Sequence, residues 1–119
     1  MTTSQQIARL LSEYTFTVTS EVSLHEQIAT VLQMHSVSYE REVVLDPQSR
    51  LDFLCDGGVA IEAKIAGTGP ALARQLHRYA RHERVSAIVA VVNIGRLARL
   101  PMDLHGKALY VVRLSGGFA

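Results

Sequence analysis

The sequence predicts an α/β fold, a mixed central sheet flanked by helices, in the order α-α-β-β-β-α-β-β. Three features lead to this. Apolar residues recur at helical spacing in two N-terminal stretches and again after residue 70. Five later runs are short, apolar or alternating, rich in β-branched and aromatic residues, and bounded by turn formers. A strand–helix–strand succession over 59–93 demands a parallel crossover. With 119 residues, 48% of them apolar, the chain has material for one domain with one real core, placed at about 23–114.

Taken in order, "SQQIARLLSE" (4–13) is a short helix with Ile7, Leu10 and Leu11 on one stripe. "YTFTVTS" (14–20) alternates and reads as a short strand or a linker. "SLHEQIATVLQMHS" (23–36) is a longer helix, with Leu24, Ile28, Val31, Leu32 and His35 on one side and a capping-box pattern of Ser23 with Glu26. "VSYEREVVL" (37–45) is a strand that ends in the turn "DPQS". "RLDFLCD" (50–56) and "VAIEAKI" (59–65) form a hairpin around Gly57-Gly58. Pro70 is placed for the first turn of a helix running to about Glu83. "VSAIVAVVN" (85–93) is a continuous apolar run, as in a strand buried on both faces. Residues 95–106 are irregular, "KALYVVRL" (107–114) closes the sheet, and the tail "SGGFA" (115–119) is loose.

The single cysteine, Cys55, excludes an internal disulfide and a cysteine-rich zinc site and reads as a small core residue. No apolar run is long enough to cross a bilayer and no secretory signal precedes the first helix, so a soluble, cytoplasmic protein with no membrane partner is expected. The net charge of +1 hides an asymmetry: Arg74, Arg78, Arg81, Arg84, Arg96 and Arg99 fall in one window whose only acid is Glu83. Such a window is either a solvated helix face or a surface that meets phosphates. The five histidines, His25, His35, His77, His82 and His105, show no metal-ligand spacing, although His77 and His82 lie among those arginines.

Asp52, Glu62 and Lys64 interrupt otherwise apolar strands, where charges are costly. Glu62 and Lys64 are two apart, so they project to one side, roughly 7 Å apart along the strand, while Ile61, Ala63 and Ile65 project into the core. The hairpin brings Asp52 beside Glu62. Paired carboxylates repel and raise each other's pKa, and a divalent cation between them relieves this. Hard oxygen ligands suit Mg²⁺ or Mn²⁺. Lys64 beside that pair can hold a water or neutralise developing negative charge. Metal, acids and amine are the parts that phosphodiester hydrolysis uses. An internal ion pair at a sheet edge accounts for the same residues without chemistry.

Leu51-Asp52, nine residues, then Glu62-Ala63-Lys64 resembles the signature of the PD-(D/E)XK nuclease superfamily, with Leu51 in place of its usual proline. The resemblance spans about 23–93 and implies a restriction-endonuclease-like core. It implies that Asp52 and Glu62 bind the metal, that the Ala63 carbonyl adds a ligand, and that Lys64 assists the attacking water. Gln75 and Tyr79, four apart on the following helix, resemble the Q-x-x-x-Y element of the RecB-like branch, whose Gln and Tyr face the active site and help position the nucleic-acid backbone. An acid on the first core helix often points at the metal in this superfamily. Glu26 is the first candidate, ahead of Glu42, Glu40 and Glu21. Arg50, Arg74, Arg78, Arg81 and His82 are the expected phosphate contacts.

The expected activity is metal-dependent cleavage of DNA in repair, recombination or phage DNA processing, with a helicase or recombination partner in view. A junction-resolvase-like endonuclease acting on branched DNA as a homodimer, through the first helix or "ALYVVRL", is an alternative. So are an RNA-cutting member of the fold and a non-catalytic nucleic-acid-binding module.

Overall fold

Thr3 opens the first helix, α1 (Ser4–Ser12), by accepting from the Gln6 N–H while the Gln6 side chain returns the bond to the Thr3 N–H. This reciprocal pair satisfies two of the donors that a helix start leaves free. The computed structural model describes residues 2–93 and 103–114. The tail 115–119, Arg96, Arg99 and most of the stretch expected to be irregular lie outside the described residues.

The next helix, α2 (Glu21–Met34), starts two residues before the expected position. Its cap is Ser20, whose hydroxyl accepts from the Ser23 N–H. The capping box expected between Ser23 and Glu26 is therefore absent: Ser23 already lies inside the first turn. Residues 14–20 form no strand; they are the linker alternative, held by the Gln27 side chain, which receives the Thr17 N–H and donates to the Thr17 carbonyl. Their alternation serves packing, since it buries Phe16 and Val18.

Among the described residues six strands follow: β1 (Tyr39–Asp46), β2 (Ser49–Cys55), β3 (Val59–Lys64), β4 (Ala87–Val92), the two-residue β5 (Asp103–Leu104) and β6 (Lys107–Arg113). They lie in the order β1-β2-β3-β4-β6-β5. β1–β2, β2–β3 and β5–β6 are antiparallel, whereas β3–β4 and β4–β6 are parallel, so the sheet is mixed as expected. β5 is an addition within the stretch read as irregular. The third helix, α3 (Gly69–Ala80), crosses between the parallel strands β3 and β4, with Pro70 in its first turn and Thr68 as cap. It ends at Arg81, shorter than expected.

The two faces of the sheet bury separate apolar clusters. On one, α1 and α2 cover Phe53, Ile61, Ala63, Val89 and Val91. On the other, Leu72, Leu76 and Tyr79 of α3 cover Leu51, Ala60, Ile88 and Ala90. β4 is buried at every position, the pattern of a parallel strand covered on both sides. Cys55 is buried, and burial pushes its thiol up to about 12, so it is an inert core residue. Gly58, in the β2–β3 turn, has φ +84°, and a Cβ there would stand 2.6 Å from the Arg84 carbonyl oxygen, so glycine is required.

One irregularity matters for the site. Residues two apart on a strand share a face, yet Phe53 packs with the α1/α2 cluster and Leu51 with the α3 cluster. On β1, Arg41 lies over the Phe53 ring while Val43 joins the α3 cluster. Both strands therefore roll over at the same level, at Asp52 and at Glu42. Glu42 supplies the turn of the backbone, with φ at +51° in mid-strand, a conformation that costs a non-glycine residue about 1 kcal/mol or more.

Candidate active site

The β2–β3 ladder runs through Cys55–Val59, Leu54–Ala60 and Phe53–Ile61, and stops. The next pair would be Asp52 with Glu62. There the strands diverge, and the Asp52 side chain bridges the gap: its Oδ2 accepts from the Ala63 N–H at 2.8 Å. A carboxylate thus takes the place of a ladder carbonyl, and the opening becomes a cleft of about 560 Å³ lined by Asp52, Glu62, Ala63, Lys64, Gln75 and Tyr79, among others.

Glu62 is only 4% exposed, and its Oε1 has no hydrogen-bond partner among the described residues. Burial, and then the charge of Asp52, push its carboxyl up to about 9, with Lys64 partly offsetting them. Tyr79 donates from its hydroxyl to the Arg50 carbonyl at 2.8 Å and accepts from Gln75 Nε2 at 2.7 Å. Burial and the nearby acids raise the Tyr79 pKa, which keeps the phenol protonated as a donor. Gln75 and Tyr79 thus both reach the cleft, as the helix spacing predicts, and their direct contact is with each other and with the strand that carries Asp52.

His25 was not singled out by the sequence. Its Nε2 lies 3.3 Å from Asp52 Oδ2, and its ring stands edge-on to Phe53. The approach of the Asp52 carboxylate draws its pKa upward against the opposing effect of burial, although the geometry falls short of a hydrogen bond and Nε2 has no other partner among the described residues. Glu21 and His25 both line the cleft. The available signal was helical spacing. Positions 21 and 25 are four apart on α2 and share a face.

Glu26, the expected acidic ligand, is not brought to the site: it is exposed and its Oε1 pairs with Arg41 at 2.6 Å. Glu40 and Glu42 also lie outside the cleft lining, paired with Arg84 at 3.4 Å and Arg50 at 3.7 Å. Of the expected phosphate contacts, Arg50 lines the cleft and Arg74 is exposed on α3 next to Gln75. Arg78, Arg81 and His82 line a second groove of about 410 Å³, on the far side of the Asp46–Gln48 turn. His82 is committed there, with its Nε2 2.6 Å from Asp46 Oδ2, so it is not a free phosphate ligand.

The donor set fits a hard divalent cation. Glu62 Oε1 is a buried oxygen lacking a partner, the Asp52 carboxylate is close enough to oppose its ionisation, and both open on one cleft. A cation there removes the repulsion and satisfies the orphan oxygen. Among the described residues no group of three or more His, Cys, Asp or Glu side chains is gathered for a metal. No helix among the described residues is long and apolar enough to cross a membrane. No protein-family model, curated protein or solved structure matches this chain.

Proposed function

We propose that this chain is a metal-dependent nuclease of the PD-(D/E)XK type that hydrolyses phosphodiester bonds of DNA. One observation carries the reading: a mid-sheet break where Asp52 is bonded to the Ala63 N–H beside the buried, unpartnered carboxyl of Glu62, with Lys64 in the same cleft. A purely structural ion pair leaves no orphan oxygen and needs no second acid.

Asp52, Glu62 and the Ala63 carbonyl would hold Mg²⁺ or Mn²⁺. When bound, such an ion supplies an acidified water and neutralises charge on phosphorus. Lys64, half-exposed in the cleft, is the cation that steadies the attacking water and the developing phosphorane charge. The Ala63 N–H holds the Asp52 carboxylate from β3, and His25 flanks it at 3.3 Å from the α2 side. Gln75 and Tyr79 fix the Arg50 carbonyl, two residues from Asp52, and so act as positioning residues. In the balanced reaction, a P–O bond forms from water and the P–O bond to the sugar oxygen breaks. That oxygen leaves with a proton.

The test is cleavage of labelled plasmid, branched, duplex and single-stranded DNA and of RNA, in Mg²⁺ or Mn²⁺ and in chelator. Asp52→Asn keeps an acceptor for the Ala63 N–H, and Lys64→Ala removes a half-exposed side chain, so both fold. Each lowers the cleavage rate by about a thousandfold or more, the scale of a lost electrostatic stabiliser. Variants that cut like the parent overturn the assignment; RNA cleavage alone moves the substrate from DNA to RNA.

A further inference from the structure

Outside the acidic cleft, cations gather in the second groove. Arg78 and Arg81 line it with His82 and the Asp46–Gln48 turn. The two arginines are three apart, and Arg81 keeps helical backbone angles as the cap of α3, so they are neighbours on the helix surface. Neither forms an ion pair among the described residues. A solvated arginine needs no partner, but Arg78 is half-buried, and its Nε is sealed from solvent with no acceptor among the described residues. A buried donor on a charged group is costly to leave unpaired.

Two features would oppose an anion here, and both are already committed. Asp46 is the acid in the described lining; its Oδ1 accepts from the Gln48 N–H at 2.8 Å, and its Oδ2 lies 2.6 Å from His82 Nε2. The C-terminal end of a helix is negative, but the His82 carbonyl just beyond α3 accepts from Lys107 Nζ at 2.8 Å and from the Val85 N–H at 3.1 Å. Arg78 and Arg81 are left as two positive charges without a counter-ion among the described residues. One guanidinium fork satisfies the two oxygens and single charge of a carboxylate. A phosphate group has further oxygens for a second fork. We propose that the Arg78/Arg81 groove is a phosphate-binding site separate from the acidic cleft, for a phosphate group either free or carried on a nucleic acid. The groove needs neither a metal nor Asp52 and Glu62, so it holds phosphate whether or not the cleft cuts.

The experiment titrates inorganic phosphate into the whole chain by calorimetry, in chelator and at low salt. The parent is expected to bind it with a Kd of about 1 mM or below. Arg78→Gln with Arg81→Gln weakens binding by about tenfold or more, whereas Arg74→Gln, on the same helix, and Arg50→Gln, in the acidic cleft, leave it unchanged. Circular dichroism checks that the double variant folds; should it not, Arg81→Gln alone, at an exposed side chain, is expected to weaken binding by about threefold. A second arm measures anisotropy of labelled oligothymidine with the same proteins, again in chelator. Oligothymidine binding that depends on the two arginines assigns the phosphate to a nucleic acid; phosphate binding alone that depends on them assigns it to the free ion. If neither depends on them, the proposal is overturned, as it is by a loss in Arg74→Gln or Arg50→Gln as large as in the double variant. Metal-dependent cutting lost in Asp52→Asn, with both ligands indifferent to Arg78 and Arg81, leaves the nuclease standing and removes this site. Arginine-dependent phosphate binding with no cutting of any substrate does the reverse.

Discussion

Glu62 is a carboxyl that folding disfavours in its charged form. Below its ordinary value of 4.5 both folded and unfolded chains hold the proton. Above it the unfolded chain releases the proton and the folded chain retains it, so stability falls as pH rises from about 4.5 to about 9. Glu62→Gln removes this loss. In metal-free buffer the variant is expected to be more stable than the parent at pH 8 by roughly 2–4 kcal/mol, with the difference vanishing near pH 4. Denaturant unfolding across pH checks this, and a parent whose stability is flat over that range contradicts it. Asp52, Glu62 and Lys64 were legible from the sequence because charge on an apolar strand needs a reason. His25 was not, because it meets Asp52 and Phe53 only through the packing of α2 on β2.

At the level of elements, most of the sheet was readable, since turn formers and β-rich runs mark it. The roll of the β1–β2 hairpin was not. In "RLDFLCD", Leu51 and Phe53 alternate around Asp52 as on any regular strand, and nothing local says that they enter different cores. The turn is imposed by packing and is paid for at Glu42, in its left-handed conformation. Glu42→Gly is therefore expected to leave stability unchanged or raise it by up to about 1 kcal/mol, although glycine normally weakens a strand. Glu42→Val, a residue of high strand propensity, is expected to cost about 1–2 kcal/mol because a β-branched side chain fits poorly there. Thermal unfolding of the two variants settles the order; a valine that stabilises would contradict the roll.

Across the whole molecule, α3 and the sheet are joined at the cleft by a polar chain from Gln75 through Tyr79 to the Arg50 carbonyl. The surrounding contacts of α3 are apolar, so this chain sets direction more than it adds cohesion. Tyr79→Phe keeps the ring packing and leaves the Arg50 carbonyl without that donor, an expected cost of about 1 kcal/mol. If the chain positions β2, cleavage falls by more than that stability loss explains, with kcat lowered more than KM is raised. An unchanged kcat at full folding would reduce Tyr79 to a core residue. The sequence pointed to the pair through its spacing, but the spacing alone did not say that its first partner is the protein's own backbone.

The Asp46–Gln48 turn borders both the acidic cleft and the Arg78/Arg81 groove. Beyond Glu42 and Asp52 the hairpin is a cantilever, and His82 is the prop beneath its tip, through Asp46. A partition shared by two rooms cannot shift without enlarging one at the expense of the other.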